Sequence, residues 1–180
     1  MKLELASMML ASVAMLGATT ASAQTAPAGN YVVMTTSKGP VVIELYPNVA
    51  PKHVESFKTL IAKGFYNGLT FHRVVPGFVV QGGDPNGDGT GGPGYTLKAE
   101  FSNLHHKRGT VAAARSADPD SAGSQFYIVL DDANAHHLDG QYTIFGQVIE
   151  GMDNVDKIKV GDTMDSFKIL TQNPVAEAAE

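Results

Sequence analysis

Arg73 is the side chain with the clearest chemical potential, because the residues around it do not neutralise its charge. Its neighbours in the stretch 71–84 include Phe, Val and Gln, and no carboxylate follows until Asp84. A guanidinium is rarely buried without an acceptor, so we expect the stem of Arg73 to pack on its neighbours and its head to face an open groove. An arginine on the exposed face of a hairpin is an alternative that fits this stretch equally well.

The loop 84–94 is rich in Gly and Pro, and two kinds of ligand site use such loops. Residues 84–89 match the start of a calcium-binding loop, but Tyr95 stands where that loop requires a bidentate glutamate. A phosphate-binding loop needs Lys followed by Ser or Thr, and the loop lacks this pair. We therefore predict a solvated connection built from turn residues.

Six histidines and several serines raise the hypotheses of a metal site and of a hydrolase. The pairs His105-His106 and His136-His137 would point in opposite directions on an extended chain, so neither is a natural chelate. No H-E-x-x-H motif is present, and we expect no metal. Ser121 and Ser124 lack a G-x-S-x-G context, although a triad depends on geometry that sequence alone does not exclude.

Short β-branched runs separated by Gly and Pro surround the stretch that contains Arg73. Runs of this kind are typical of a closed antiparallel barrel, in which no strand edge stays exposed. The fold class is therefore predicted to be mainly β, with eight strands. The predicted strands are 31–36, 41–46, 69–75, 78–81, 109–114, 125–130, 142–149 and 166–171.

Two helices are predicted, and we expect the first to plug one end of the sheet or barrel. The first covers 48–62, with Pro51 near its start, Gly64 after its end, and apolar residues at a spacing of three and four. We expect His53 on this helix to face solvent. A second, shorter helix is predicted over 151–159, where Met152, Val155 and Ile158 recur every three residues.

The first 23 residues have the features of a secretory signal rather than of the folded domain. A lysine precedes an uncharged apolar run of about 14 residues, which is too short for a membrane helix. Ala21-Ser22-Ala23 is a cleavage site of small residues, so cleavage after Ala23 would expose Gln24. We predict an exported, periplasmic protein. Its predicted regions are a signal peptide (1–23), a flexible lead-in (24–30), one domain (31–172) and a frayed tail (173–180).

Composition narrows the choice of partners. The formal net charge of −5 argues against a nucleic-acid partner and against an anionic membrane surface. The chain has no cysteine, which excludes a disulfide framework and a lipid-modified N-terminal cysteine. After removal of the signal we therefore expect no membrane association.

Four motifs occur in an order that points to one family. The stretch FHRVVPGFVVQGGD (71–84) resembles the signature of the cyclophilins, the peptidyl-prolyl cis/trans isomerases, and the likeness extends over about 31–170. The resemblance implies an eight-stranded barrel with a packed interior, a helix at each end and a peptide groove outside. The three further motifs are 87–92 (GDGTGG), 123–127 (GSQFY) and 138–146 (LDGQYTIFG).

The implied reaction needs a hydrogen-bond donor rather than a nucleophile. The X-Pro bond has a rotation barrier of about 18–20 kcal/mol, and no bond breaks when it turns. We therefore expect no cofactor and no covalent intermediate. At the twisted transition state the proline nitrogen regains a lone pair, and a donor that binds only this state raises the rate. Arg73, always charged and with rigidly held donors, is the candidate catalytic residue.

The resemblance also assigns the residues that would bind substrate. An apolar pocket would hold the proline ring, Gln81 would hold the substrate carbonyl and steady Arg73, and the 114–115 backbone would pair with the peptide as an added strand. Phe126 and Ile128 are expected in the core instead. The predicted substrate-binding residues are Phe78, Val79, Gln81, Ala114, Arg115, Gln125, Tyr127, His137, Leu138 and Tyr142.

Four of these positions depart from the eukaryotic pattern. His137 stands where a tryptophan associated with tight cyclosporin binding is common, and the chain contains no Trp. Tyr142, Tyr127 and Arg115 replace a histidine, a phenylalanine and an asparagine. Arg73 and Gln81 match the family pattern, so we expect isomerase activity. Because of the departures, we expect cyclosporin to bind weakly.

The expected partners are proline-containing unfolded or flexible polypeptides, bound by a monomer. A holdase that uses the same groove without turnover is the main alternative function. A saccharide-binding barrel is a third possibility, but the chain lacks the tryptophan platform that such a site would use.

Overall fold

A computed structural model describes residues 29–177 as one antiparallel sheet of nine strands with three α-helices. The predicted signal peptide, 1–23, lies outside the described residues, as do 24–28 and 178–180. The strands are β1 (Tyr31–Thr36), β2 (Gly39–Leu45), β3 (Leu69–Thr70), β4 (Arg73–Val75), β5 (Val79–Gly82), β6 (Thr110–Ala113), β7 (Phe126–Val129), β8 (Ile144–Glu150) and β9 (Thr163–Leu170). The helices are α1 (Pro51–Ala62), α2 (Met152–Val155) and α3 (Pro174–Glu177), with 3-10 turns at Pro119–Ser121, Asp132–Asn134 and His136–Leu138.

The sheet curls so that the strands at its two ends, β3 and β4, are neighbours in the sequence. Its strand order is β3-β9-β1-β2-β8-β6-β7-β5-β4, so β3 and β4 end the ladder although only Phe71 and His72 separate them. Phe71 still bonds to the segment before β9, since its N–H donates to the Asp162 carbonyl (2.8 Å) and its carbonyl accepts from Gly161 (3.0 Å), whereas Arg73 pairs with Gln81 of β5. The single predicted strand 69–75 is therefore two short strands. Counted as one interrupted strand, they give the predicted total of eight.

Strands β5 and β7 are buried on both faces, and this gives the barrel wall two apolar clusters. On β7, Phe126 and Ile128 pack in the main core, which confirms the prediction for both residues. Tyr127 and Val129 point to the opposite face and pack with Val79 in a second cluster. Side chains alternate along a strand, so successive residues serve the core and the outer wall in turn.

Helix α1 begins at Pro51, later than predicted, and packs one face on the main core. Pro51 lies in the first turn of the helix, where a backbone N–H would have no partner within the helix. The missing N–H of proline therefore costs no helical hydrogen bond. Val54, Phe57 and Leu60 are buried and belong to the main cluster. The spacing of three residues places them on one face, as the sequence predicts.

The prediction that His53 faces solvent is wrong. The residue is only 3% exposed, and its ring stacks on Phe145 with centroids 6.5 Å apart. Its Nδ1 lies 2.7 Å from Glu100 Oε2. The Glu100 carboxylate also accepts the backbone N–H groups of Lys52 and His53, each at 3.0 Å. This acceptor is 47 residues away along the chain, so helix periodicity gives no sign of it.

The second helix is shorter than predicted. It is one turn, Met152–Val155, because the N–H groups of Lys157 and Ile158 bond to carbonyls three residues earlier instead of continuing the α-helix. Helix α3 is a single turn within the tail that we expected to be frayed. Among residues 29–177, no helix has both the length and the apolarity needed to span a membrane.

Candidate functional site

Ten of the eleven predicted site residues surround one cavity. The cavity has a volume of about 310 Å³ and lies against the second apolar cluster, which contains Val79 and Tyr127. This volume falls within the range of small-ligand sites. The lining residues are Arg73, Phe78, Val79, Gln81, Ala114, Arg115, Tyr127, His137, Leu138 and Tyr142.

The β4–β5 hairpin places Arg73 beside Gln81. The two residues are register partners, and Arg73 Nη1 donates to Gln81 Oε1 over 3.4 Å. Pro76 and Gly77 form the turn, in which the positive φ of +69° at Gly77 suits glycine. Arg73 is exposed, and the ion pairs within residues 29–177 do not include it. Its charge therefore remains available at the cavity.

A second amide supports Gln81 from the opposite side. Gln81 Nε2 donates to Gln125 Oε1 (3.1 Å), and Gln125 Nε2 donates to the carbonyls of Gly89 (3.0 Å) and Gly91 (2.9 Å). An amide nitrogen carries two hydrogens, so Gln81 keeps one donor for a substrate carbonyl. Gln125 is the one predicted site residue that does not line the first cavity.

Gln125 instead lines a neighbouring cavity of about 530 Å³, next to the loop 89–96. Gln81, Ala114 and Arg115 line both cavities, so the two are continuous along this face. Ala114 donates its N–H to the Gln125 carbonyl (3.0 Å). The N–H of Ala114 is therefore not available to a peptide strand added here.

Aromatic contacts hold the walls of the first cavity. Phe78 stacks on His137, with centroids 5.4 Å apart and planes 28° from parallel. Tyr142 meets Tyr127 edge to face at 5.9 Å. The Arg115 guanidinium lies 4.5 Å from the centre of the Tyr142 ring. Such contacts fix the rings before substrate arrives.

Arg115 differs from Arg73 because each of its three guanidinium nitrogens already donates a hydrogen bond. Its Nε and Nη2 donate to the Gln141 carbonyl (3.0 and 2.8 Å), and its Nη1 donates to the Ser116 carbonyl (2.8 Å). Of the two arginines at the cavity, Arg73 therefore has more donors free, since its guanidinium makes one hydrogen bond, to Gln81.

Two residues that the sequence did not assign to the site lie next to it. His106 is fully buried, and its Nε2 lies 2.9 Å from the Tyr127 hydroxyl. Its Nδ1 lies 2.8 Å from Asp139 Oδ1, which also accepts the His106 backbone N–H (2.7 Å). A buried tyrosine hydroxyl needs a partner, and this was the signal available in the sequence. The sequence does not show which residue is the hydrogen-bond partner.

Burial and hydrogen bonding set the charges of this group. Burial raises the pKa of Tyr127, and the neighbouring Tyr142 adds to the effect. Burial lowers the pKa of His106 despite the nearby Asp139 carboxylate. Partial burial would raise the pKa of Asp139, but hydrogen bonds from the His106 backbone and from the rings of His105 and His106 hold it well below its usual value.

In the described part of the chain, no group of three or more His, Cys, Asp or Glu side chains is arranged to hold an ion. The lining of the cavity offers apolar contacts together with the donors of Arg73 and Gln81.

Comparisons with known proteins agree with this geometry. Residues 31–179 match the family model described as cyclophilin type peptidyl-prolyl cis-trans isomerase/CLD. The chain is 44% identical to the "Probable peptidyl-prolyl cis-trans isomerase" of Brucella suis biovar 1, over 94% of this chain and 93% of that protein. It is 47% identical to "Peptidyl-prolyl cis-trans isomerase B" of Bacillus subtilis, over 72% of this chain and 90% of that protein.

Solved structures give the same result. A cyclophilin type peptidyl-prolyl cis-trans isomerase of Cryptosporidium parvum superposes with a TM-score of 0.75 at 30% identity, covering 81% of this chain and 99% of that one. A second structure of that protein, determined in the presence of the dipeptide Ala-Pro, gives a TM-score of 0.73 at 30% identity, covering 79% of this chain and 99% of that one. The chain belongs to the cyclophilin-type peptidyl-prolyl cis-trans isomerase family.

Proposed function

We propose that this protein accelerates the rotation of X-Pro bonds in exported proteins as they fold, with Arg73 as its catalytic residue. The observation that carries the proposal is an exposed guanidinium without a carboxylate partner, held by Gln81 at the edge of an apolar cavity. The apolar walls would seat the proline ring, and the arginine would face its nitrogen. One structure of the Cryptosporidium parvum relative was determined in the presence of the dipeptide Ala-Pro, which contains the ring that this cavity would seat.

The proposed rate enhancement comes from binding the twisted bond more tightly than the planar one. A preorganised donor at a developing charge is worth about 2.7–4 kcal/mol by analogy with oxyanion holes. This corresponds to roughly a hundred- to a thousandfold in rate. The remainder would come from positioning, because the cavity holds the proline ring while the rest of the peptide rotates.

Replacement of Arg73 tests the catalytic assignment. For Arg73→Ala we expect kcat/KM on a short X-Pro peptide to fall roughly a hundred- to a thousandfold, while peptide affinity changes less. Lys63→Ala is the matched control, since Lys63 is an exposed cation outside both cavities. NMR exchange or a protease-coupled assay gives the rate, and an unchanged rate would refute the role of Arg73.

The same variant separates the enzyme from a holdase. A holdase needs the groove but not the arginine donor, so its suppression of aggregation would survive Arg73→Ala. If the wild-type protein suppressed aggregation, lacked measurable isomerase activity and was indifferent to this change, the holdase alternative would be correct.

The exported location rests on the leader 1–23 and its cleavage site at Ala21-Ser22-Ala23. Expression of the full chain in a bacterium, followed by fractionation and N-terminal sequencing, tests it. We expect a periplasmic protein that begins at Gln24. A protein that keeps Met1 and stays with the cytoplasm would contradict the export proposal without affecting the enzymatic one.

A further inference from the structure

The Tyr127 hydroxyl bonds to a histidine that does not line the cavity. His106 is 0% exposed, and its Nε2 lies 2.9 Å from the Tyr127 oxygen. On its other side, Nδ1 lies 2.8 Å from Asp139 Oδ1. A carboxylate, an imidazole and a phenol are thus aligned, with the phenol ring in the wall of the proline cavity.

The positions of the protons on these three groups follow from which atoms can donate a hydrogen bond and which can only accept one. Asp139 accepts only, because its pKa is held low and it stays ionised near neutral pH. The proton of the neutral His106 ring must therefore be on Nδ1, where it is donated to Asp139. Nε2 is left as an acceptor, and it takes the O–H of Tyr127. One tautomer thus satisfies all the polar atoms of this group.

We propose that His106 and Asp139 are positioning residues for proline binding: they fix the Tyr127 ring in the cavity wall, and protonation of His106 releases it, so that affinity for proline falls in acid. The inference rests on the proposed function, since it concerns the cavity assigned to the proline ring. It adds a pH dependence to a reaction that itself transfers no proton.

The physical reason is that the Tyr127 hydroxyl hydrogen loses its acceptor. When His106 is protonated, Nε2 donates its hydrogen to the Tyr127 oxygen, so the bond between them reverses and the Tyr127 O–H must turn to another acceptor. The hydroxyl is buried, so it finds another acceptor only if the ring moves. Because the pKa of His106 is lowered by burial, this change begins below the usual range of histidine. We expect KM to rise as pH falls, with a smaller change in kcat, because Arg73 keeps its charge.

Other titratable groups face the same region, and the test must separate them from His106. His105 lies 2.8 Å and His136 lies 3.8 Å from Asp139 Oδ2. His137 lines the cavity and is close enough to affect His106. Within residues 29–177, the charged or titratable groups that contact or influence His106, Asp139 and Tyr127 include His105, His136, His137, Arg115 and Tyr142.

A double-mutant cycle tests whether His106 acts through the Tyr127 hydroxyl. For His106→Leu we expect KM to rise roughly tenfold at neutral pH, the effect of one lost hydrogen bond. Tyr127→Phe removes the hydroxyl that His106 holds, so adding His106→Leu to it should change KM no further. If the two effects instead add independently, His106 acts as a general structural residue and the proposal is overturned.

His106→Gln tests the pH dependence. A glutamine Oε1 can accept the Tyr127 O–H in place of Nε2 but does not titrate. KM of the variant should therefore stay close to that of the wild type at neutral pH. It should lack the rise in acid that protonation of His106 causes. His137 is retained, so the difference between the two profiles isolates His106. His105→Gln is the control: it is exposed, it contacts Asp139 but not Tyr127, and we expect the wild-type profile.

NMR of the wild-type imidazoles keeps the test independent of mutant folding. We expect the Nδ1–H tautomer at His106 and a titration midpoint that matches the acid rise in KM. An Nε2–H tautomer, or a KM that stays constant while His106 titrates, would overturn the inference. A wild-type protein without isomerase activity at neutral pH would instead refute the proposed function, so the two failures are distinguishable.

Discussion

Gln125 is the residue through which the loop 84–94 supports the pair of Arg73 and Gln81. Its side chain accepts from Gln81 and donates to two loop carbonyls. Gln125→Leu removes these bonds, and since a hydrogen bond is worth about 1 kcal/mol we expect kcat/KM to fall roughly five- to tenfold with little change in Tm. Steady-state kinetics and thermal unfolding measure the two effects.

The control is Gln172→Leu, the same substitution at an exposed position near the C-terminus. It should leave both kinetics and Tm unchanged. If Gln125→Leu behaves in the same way, Gln81 does not depend on this support.

His137 is the residue that we expect to limit cyclosporin affinity. It stacks on Phe78 at the cavity rim, where the family resemblance places a tryptophan in proteins that bind the drug tightly. A smaller ring offers less apolar area, so wild-type inhibition should be weak and His137→Trp should strengthen it. Titration of isomerase activity with cyclosporin checks both, and nanomolar inhibition of the wild-type protein would contradict the prediction.

The first turn of α1 is stabilised by a carboxylate from a distant loop. Glu100 accepts two backbone N–H groups of that turn and the ring of His53. Glu100→Gln removes the charge from these bonds, and we expect the free energy of unfolding at neutral pH to fall by about 1–2 kcal/mol. Urea denaturation measures it.

The effect of Glu100 should depend on pH in a defined direction. Burial would raise the pKa of Glu100, but donors from Lys52 and His53 lower it below the usual 4.5. A lowered pKa means that the stabilisation is complete above that usual value and is lost as pH falls through the lowered one. The difference between the wild type and Glu100→Gln should therefore shrink in acid. Glu55→Gln, an exposed pair with Lys52, is the control and should cost less than about 0.5 kcal/mol at any pH.

Local patterns predicted most of these elements, and the exceptions depend on distant contacts. Strand β1 has its predicted bounds, and the apolar face of α1 is as periodicity indicated. The break after Phe71 was not visible, because it reflects a change of partner from the segment before β9 to β5. His53 is buried for the same reason, since Glu100 belongs to a different part of the sequence.

The residues around the cavity were predictable as a set, but the hydrogen bonds between them were not. Motif resemblance named the ten residues around the cavity, and strand alternation explains why Tyr127 lies there while its neighbours lie in the core. The position of Gln125 in the adjoining cavity, and the bonds of His106 and Asp139, depend on loop paths. Sequence spacing carries no information about those paths.

At the scale of the molecule, the surface predicts a monomer. Among residues 29–177, the large apolar side chains that are exposed are Tyr95, Phe101, Leu104 and Val160. Isolated apolar residues are normal on monomeric proteins, whereas stable interfaces need larger continuous areas. We expect light scattering to give one monomeric mass at all concentrations. A mass that doubles on concentration would show that this surface is an interface.

Strand β9 lies between β1 and β3, so the last strand to be made completes the pairing of the first. A nascent chain leaving a ribosome, or threading through a translocon, would present β1 with one open edge until Leu170 has emerged. Earlier strands can pair beforehand, but closure of the barrel must follow synthesis of β9. For the exported protein proposed above, this delay would leave the barrel unclosed while the chain crosses a membrane.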